Sequence, residues 1–570
     1  MGSDRYSRAT VDINKVLTDD LAIRANALYG YQQVPDRAPA DEERQGLALS
    51  GLYHATDDLE VVLDYYGLRA YDTPDLGGFL VGENPDRKPV TNPPVYVQEQ
   101  DFLDTEVDTF TARLKYDMTS DVYVTNTTRY GTTENGYVAT GARATSTTET
   151  DANGVYETAV LSTHQGWQDV EYLANLTNLH WDVEMGNLVH QFIFGLEYTD
   201  HQVKNGTYNI ENGGATNCVT AGRGGESAGY CLYDQNGNVI AGVNSVMERD
   251  ISRSNWDSDW QVSTIAVSAM DTVDLNDKWT LFGGLRFDQY DYTLDTVGFD
   301  GTRSSYDDSD GLFNGHVGAT FKFRPDANVY FSYATASDIN GGESDVGTNS
   351  GYGGFIADAG DTKPERSQSI ELGTKWNVNN GRMLATASVF QINKDDVMEG
   401  NGYESTGTAN SGANETRGIE FGLAGKVTDR LSAQAGIAFM DAEITDSANE
   451  DNIGKTLSNF ADTTASATLK YQTTRKLALG GAVKYESKKY AGQPDSAPGY
   501  SSETGEYSQP VPAYTVADLF AEYRFNKDLD MRVNIGNITD EDYYLAAYRS
   551  GAFLYKGDGR NFHVTLNYHF

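Results

Sequence analysis

Apolar and polar residues alternate along most of the chain, and this period of two predicts β-strands. Between Asn561 and Phe570 the even positions are Phe, Val, Leu, Tyr and Phe, whereas the odd positions are Asn, His, Thr, Asn and His. The same alternation is found in Leu188–Tyr198, Leu431–Phe439 and Ala517–Phe525. About ten residues are the length of one tilted strand that crosses a membrane. The pattern therefore predicts strands with one apolar face, aromatic at its ends, and one mostly polar face.

The predicted strands are joined by short turns at one end and by long loops at the other. The short turns are Thr18–Asp20, Thr56–Asp58, Met118–Asp121, Glu184–Asn187, Leu275–Lys278, Pro325–Asn328, Asn379–Arg382, Thr428–Arg430, Thr473–Lys476 and Asn526–Asp528. The long loops are Tyr71–Asp104, Glu134–His164, Gln202–Asp259, Asp338–Pro364 and Ala491–Pro512. Short turns opposite long loops are typical of transmembrane β-barrels.

Two strands around each of the ten turns give twenty, and Tyr543–Tyr548 and Asn561–Phe570 add two more. The sequence thus predicts an all-β fold, a single 22-stranded antiparallel transmembrane β-barrel over residues 1–570 with long extracellular loops. Barrels of this strand number are plugged transporters. Because the first predicted strand begins near Tyr6, we expect no plug domain in this chain.

Composition narrows the function classes. The chain has 43 Lys and Arg against 83 Asp and Glu, a net charge of −40, which disfavours nucleic-acid binding. Its 37 Tyr, 22 Phe and 6 Trp exclude a disordered chain. The mean hydropathy is −0.52, and no apolar run is long enough for a membrane-spanning helix.

The two cysteines, Cys218 and Cys231, are 13 residues apart in a segment with the composition of a loop. An even cysteine count within one loop predicts a disulfide formed in an oxidising compartment. Two free thiols are the alternative.

Three stretches in the C-terminal part carry family motifs. They are KPERSQSIELGTKW at Lys363–Trp376, NETRGIE at Asn414–Glu420 and NIGNITDEDYY at Asn534–Tyr544. In this order they resemble motifs of the TonB-dependent outer-membrane receptors, in particular of the ferric-siderophore branch. The early loops and strands are most similar to the catecholate-type receptors. The final residue, Phe570, resembles the assembly signal of outer-membrane proteins.

The resemblance implies a receptor that takes up a ferric siderophore across the bacterial outer membrane. The expected partners are outer-membrane lipid and lipopolysaccharide, the ferric siderophore, and TonB only through a plug that we expect this chain to lack. The siderophore is cargo, so no resident cofactor, metal or catalytic site is expected. Two alternatives stay open, a passive wide channel and a structural or adhesive surface barrel.

Two glutamates in the motifs are candidate latch residues. Glu371 alternates with Ile370 and Leu372, and Glu420 alternates with Ile419 and Phe421, so both carboxylates are expected to face the lumen. In the family, matching glutamates pair with arginines of the plug and hold it. The alternative is a pair of hydrated lumen carboxylates.

Aromatic and arginine side chains in the loops are the candidate ligand-binding group, because flat or anionic iron chelates need aromatic faces and cations. The group consists of Tyr352, Phe355, Tyr403, Tyr548, Arg549, Phe553 and Tyr555. Aromatic residues of the interfacial girdle are the alternative for any one of them.

Overall fold

The computed structural model describes residues 1–82, 87–151, 154–213, 227–231, 239–298, 300–339, 363–399, 409–492, 496–548 and 553–570. Within these ranges the chain forms strands, turns and two short 3₁₀ helices, Val243–Ser245 and Glu450–Asn452. No helix in the described ranges is long and apolar enough to cross a membrane.

The strands follow one another in chain order. They are β1 (Ser7–Thr18), β2 (Leu21–Gln33), β3 (Asp41–Thr56), β4 (Leu59–Thr73), β5 (Leu80–Val81), β6 (Lys88–Pro89), β7 (Phe102–Asp117), β8 (Val122–Asp151), β9 (Gly154–Met185), β10 (Leu188–Asn212), β11 (Ser227–Cys231), β12 (Arg249–Asn276), β13 (Trp279–Val297), β14 (Arg303–Arg324), β15 (Ala327–Asp338), β16 (Glu365–Val378), β17 (Met383–Glu399), β18 (Ala409–Lys426), β19 (Leu431–Asp446), β20 (Thr463–Gln472), β21 (Leu477–Glu486), β22 (Lys489–Tyr490), β23 (Tyr500–Ser501), β24 (Glu506–Tyr507), β25 (Pro510–Val511), β26 (Tyr514–Arg524), β27 (Leu529–Gly536), β28 (Tyr544–Ala547), β29 (Leu554–Lys556) and β30 (Asn561–Tyr568).

Twenty-two of these strands form one large sheet. Its 21 principal strands pair antiparallel in chain order, from β1–β4 through β7–β10, β12–β21, β26 and β27 to β30. The short strand β11 is the twenty-second and pairs with β9. The remaining strands form four two-stranded hairpins, β5 with β6, β22 with β25, β23 with β24, and β28 with β29. We call the end with the short turns the turn end and the opposite end the loop end.

The all-β class agrees with the prediction, but the predicted closed 22-stranded barrel is wrong. The segment Tyr543–Tyr548 does not join the large sheet, because its strand β28 pairs with β29 in a separate hairpin. With an odd number of alternating principal strands, β1 and β30 run in the same direction and cannot form an antiparallel pair. Among the described residues, the segment Met1–Ser3 lies next to β30, with an antiparallel bridge between Gly2 and His563.

Two predicted loops are largely strand. The β8–β9 pair continues to Asp151 and Gly154, so the described residues of the predicted loop Glu134–His164 are paired strands. The β10–β12 pair likewise extends into both ends of the predicted loop Gln202–Asp259. The sequence of β8 is rich in Thr here and shows no sustained alternation of apolar and polar residues, so the pattern did not predict the strand.

The two faces of the principal strands differ in polarity. On β13, Leu285 and Phe287 are 58% and 44% exposed on the outer face. On the opposite face, Arg286 forms an ion pair of 2.6 Å with Asp288. An outward apolar band over a polar inner face is the arrangement found in strands that cross a bilayer.

At the loop end, one long connection ties several others together. We call this connection between β4 and β7, residues 74–82 and 87–101, the strap. Near its start, Asp75 forms a buried ion pair with Arg37 of the β2–β3 loop. The backbone of Gly78 then pairs with that of Leu554 in β29. Leu80 packs into a buried cluster whose other members are Ala491, Val511, Tyr544, Ala547 and Leu554.

The far end of the strap is fastened to the connection before β12. Asp101 and Arg249 form an ion pair in which both side chains are completely buried. The Gln98 amide donates to the carbonyl oxygens of Tyr96 and Val243. The strap therefore joins loops from both sides of the sheet into one packed body at the loop end.

Candidate functional site

The two predicted latch glutamates lie on neighbouring strand pairs of the inner wall. Glu371 is on β16, between Ile370 and Leu372, whose side chains are 47% and 50% exposed on the outer face. Glu420 is on β18, next to the outward-facing Ile419 and Phe421. Strand β17 separates β16 from β18, so these two strands are about 10 Å apart. Glu371 is opposite Phe390 of β17, and Glu420 is opposite Ser388, two residues away along the same strand. The sequence motifs thus bring both carboxylates to one region of the wall.

Hydroxyl groups hold both carboxylates in place. The Tyr330 hydroxyl of β15 donates to Glu371, and the Ser388 hydroxyl of β17 donates to Glu420 over 3.1 Å. The ammonium group of Lys375 lies 4.9 Å from the centre of the Tyr330 ring. We call Tyr330, Glu371, Lys375, Ser388 and Glu420 the latch cluster.

Glycine allows this arrangement. Gly373 is directly opposite Tyr330 in the β15–β16 register, and the tyrosine ring lies over its backbone. A Cβ atom at position 373 would collide with that ring. The glycine of the ELG motif therefore lets the tyrosine reach across to Glu371.

The latch cluster has unused capacity for cations. An ionised carboxylate accepts about four hydrogen bonds, yet each glutamate accepts one from a neutral hydroxyl. Neither carboxylate forms an ion pair within the described part of the chain. The two can therefore receive arginine or lysine side chains that approach from inside the sheet.

The predicted ligand-binding residues are only partly described. Tyr352, Phe355, Tyr403 and Arg549 lie outside the described residues. Phe553 is 2% exposed and packs edge-on against His164, with ring centres 4.4 Å apart. The ring centres of Tyr548 and Phe553 are 5.3 Å apart, and the Tyr555 side chain is 37% exposed. Phe553 thus has a packing role here, and ligand binding by the group stays a prediction.

The remaining candidate residues are the two cysteines and the C-terminal Phe570. Cys218 and the side chain of Cys231 lie outside the described part, so their disulfide stays a prediction. Phe570 follows the end of β30 and is 85% exposed. Its role as an assembly signal also stays a prediction.

The sequence reasoning missed an aromatic cluster on the inner face near the loop end. Its members are Val203, Trp260, Tyr290, Tyr292 and Leu294, from β10, β12 and β13. The Tyr290 hydroxyl donates to Asp308 over 2.7 Å. Burial raises the pKa of both tyrosines, which lie beyond the outward apolar band. Two tyrosines at alternate positions of one strand were the available signal, although a soluble core gives the same pattern.

Comparison with known proteins identifies the family. The family model described as TonB dependent receptor-like, beta-barrel matches residues 48–538. A probable TonB-dependent siderophore receptor, PiuA of Acinetobacter baumannii, is 26% identical over 100% of this chain and 75% of the relative. The catecholate siderophore receptor Fiu of Escherichia coli K12 has the same identity and the same two coverages.

Solved structures have the same fold. The closed crystal form of the ferric-catecholate import receptor Fiu from E. coli superposes with a TM-score of 0.82 at 24% identity. The crystal structure of PiuA from A. baumannii gives 0.82 at 23% identity. Each match covers 100% of this chain and 80% of the solved chain.

These matches also correct the prediction that the fold has no plug domain. Receptors of this fold match the chain over its whole length and extend beyond it, so they do not support a plug-less receptor. The resemblance to the siderophore branch of the family, in contrast, is confirmed. The chain belongs to the TonB-dependent receptors, which are proteins of the bacterial outer membrane.

Proposed function

We propose that the protein takes up a ferric siderophore across the outer membrane in a TonB-dependent manner. The observation that carries the proposal is the similarity, over the whole chain, to proteins named as siderophore receptors. We further propose a ferric catecholate as the substrate class, because Fiu, a catecholate siderophore receptor, is among these relatives.

The latch cluster supports coupled transport. Glu371 and Glu420 face the inside of the sheet without an ion-pair partner among the described residues. We propose that cationic side chains of an inner domain pair with them, so that the receptor is closed at rest. Two carboxylates on adjacent strand pairs give such a domain two points of attachment.

We propose that residues at the loop end bind the ligand first. A ferric catecholate presents flat aromatic rings and negative charge, which aromatic faces and arginine recognise. The predicted group around Tyr352, Tyr403 and Arg549 has these residue types. Tyr555 adds an exposed aromatic side chain beside the strap.

The proposal is tested by uptake of radioactive iron in a strain that lacks its own catecholate receptors. We expect the protein to restore uptake of a ferric catecholate in a tonB-positive host and not in a tonB-deleted host. A ferric hydroxamate serves as the comparison substrate and should not be taken up. Uptake that does not depend on tonB would instead support the passive channel.

A further inference from the structure

Four polar side chains interrupt the apolar outer face of the sheet on strands β8 and β9. They are Asn126, Thr128, Asn175 and Thr177, which we call the polar ring. Residues directly opposite each other in neighbouring strands point to the same face. Asn126 is opposite Leu114 of β7, and Thr177 is opposite Leu196 of β10. Leu114 and Leu196 are 40% and 54% exposed on the outer face, so the polar ring lies on that face as well.

The polar ring lies within the outward apolar band. Its nearest outward neighbours along the two strands are Val124, Tyr130, Leu173 and Leu179. On the other side of the sheet, the outer face of β19 and β20 keeps small apolar residues at such positions, and Ala435 is directly opposite Ala467. Lipid chains offer no hydrogen bonds, so amide and hydroxyl groups in this band are unfavourable unless a protein partner covers them.

The hydrogen bonds that close the ring differ in length. The amide groups of Asn126 and Asn175 donate to the hydroxyl oxygens of Thr177 and Thr128 over 2.8 and 2.7 Å. The bonds to the two amide oxygens are longer. Each of these oxygens accepts one bond of 3.2 Å and one of 3.4 Å, at or beyond the upper limit of a normal hydrogen bond. The amide oxygens therefore keep acceptor capacity on the membrane side.

A second polar group lies on the same face of the next two strands. Nδ1 of His190 in β10 is 2.7 Å from Oδ2 of Asp271 in β12. Asp271 is directly opposite Phe192, which is two residues from the outward-facing Phe194. Strands β8, β9, β10 and β12 are neighbours in the sheet, and we call their outer faces together the polar sector. Polar and ionisable groups at membrane depth generally face protein rather than lipid.

The chemistry of the polar sector is complementary to itself. An amide group carries both N–H donors and an acceptor oxygen, so two identical amides can bond to each other. The four side chains of the polar ring are uncharged, and a second copy that faces it therefore meets no repulsion there. A second copy also has an apolar band of the same height, so the pair fits the surrounding bilayer without mismatch.

We infer that the polar sector is the contact surface of a homodimer in the outer membrane. In a two-fold dimer, the same surface is used on both subunits. The amide groups of Asn126 and Asn175 then hydrogen-bond to those of the second copy, and these bonds supplement the long ones within each ring. Amide and hydroxyl side chains hold membrane helices together in the same way. The inference concerns assembly and does not depend on which substrate is transported.

The test counts subunits by single-molecule photobleaching of labelled protein in liposomes at decreasing ratios of protein to lipid. The variant is Asn126→Leu with Asn175→Leu. Leucine suits a lipid-facing position, so the variant should insert and fold. We expect a dimeric wild type and a dissociation constant in the membrane that rises about tenfold in the variant. The matched control, Ala435→Leu with Ala467→Leu, also adds two leucines to the outer face and should keep the wild-type constant.

Photocrosslinking in native outer membranes locates the contact. A photoreactive benzoylphenylalanine replaces either Leu196, beside the polar ring, or Leu469 of β20. These two side chains are 54% and 52% exposed on the outer face, so both positions are equally open to a neighbour. We expect a crosslinked homodimer from position 196 and none from position 469.

The other outcomes overturn the inference. A wild type that is monomeric at every ratio, or a variant that dimerises as strongly as the wild type, would leave the polar ring as an internal clamp between β8 and β9. Crosslinks from position 196 to a different protein would exclude the second copy as the partner. Equal homodimer yields from positions 196 and 469 would indicate random collisions in the membrane. None of these results bears on uptake of iron, which is measured separately.

Discussion

At the scale of single residues, the strap depends on one buried ion pair. Asp101 and Arg249 are completely buried, and Asp101 also accepts from the backbone of Gln98 and Thr140. Burial raises the pKa of the Asp101 carboxyl, and the charge of Arg249 opposes that rise. Removing one partner leaves the other charge buried without compensation.

We therefore expect Arg249→Met to destabilise the packing of the strap against the neighbouring loops by about 3 kcal/mol. Hydrogen exchange of residues 95–101 and 243–249 measures this local stability. The double variant Asp101→Asn with Arg249→Met should recover most of the loss, because it removes both charges and keeps an acceptor oxygen for the backbone of Gln98 and Thr140. Equal protection in the single variant and the wild type would contradict the expectation.

A second residue-scale prediction concerns pH. Asp257 occupies a bulge in β12 near the loop end, and burial raises its pKa from 3.8 to about 6. The folded state therefore binds this proton more tightly than the unfolded state. Local stability should be highest below about pH 4 and should fall as the pH rises through about 6. Asp257→Asn should remove this dependence, as measured by hydrogen exchange at Gly206 and Trp256 across that range. A wild type whose exchange protection does not change with pH would contradict the shift.

At the scale of elements, the β28–β29 hairpin is seated by a contact between an aromatic ring and a glycine. The Phe553 ring lies directly over Gly141 of β8, where a Cβ atom would overlap it. Gly141→Ala should push the ring away and cost about 1–3 kcal/mol of local stability. Hydrogen exchange of residues 543–548 and 553–557 is the measurement. Gly51→Ala is the matched control, because no atom lies within 4 Å of that Cβ position.

The strands also show which parts of the fold could be predicted from the sequence. Alternation and turn composition predicted the twenty strands around the ten turns, because strands with a lipid face and a lumen face must alternate. They failed for β28, which is too short to show a period and pairs locally. They also failed for the β8–β9 extension, because the Thr-rich sequence of β8 shows no sustained alternation of apolar and polar residues there.

The latch cluster, like the fold, could be predicted only in part from the sequence. Residue parity places a carboxylate such as Glu371 on a face, but it does not show that Tyr330 reaches it from the next strand over Gly373. The strap was predicted as a loop, yet its ion pair joins residues 148 positions apart in the chain. Contacts between distant segments leave no local pattern in the sequence.

At the scale of the whole molecule, charge is sorted by location. The inner wall carries paired charges such as Arg286 with Glu197, and the loop end buries Asp101 with Arg249. Within this arrangement the latch glutamates differ from Glu522, another carboxylate of the β16–β27 part of the sheet, which is already paired with Lys470 and Arg532. The latch glutamates can therefore hold an inner domain, whereas Glu522 cannot.

The double variant Glu371→Gln with Glu420→Gln tests this difference in the complete receptor. If the two carboxylates hold an inner domain through cations, glutamine keeps the shape and removes the attraction, while the cations of that domain stay buried and unpaired. The cost of such unpaired charges is on the order of a few kcal/mol, enough to favour opening. We expect a higher ion current in planar bilayers and weaker tonB-dependent uptake at an unchanged level of protein in the outer membrane. Glu522→Gln should leave the current low, since its partners belong to the wall itself. A double variant as well closed as the wild type would show that these carboxylates are only hydrated wall residues.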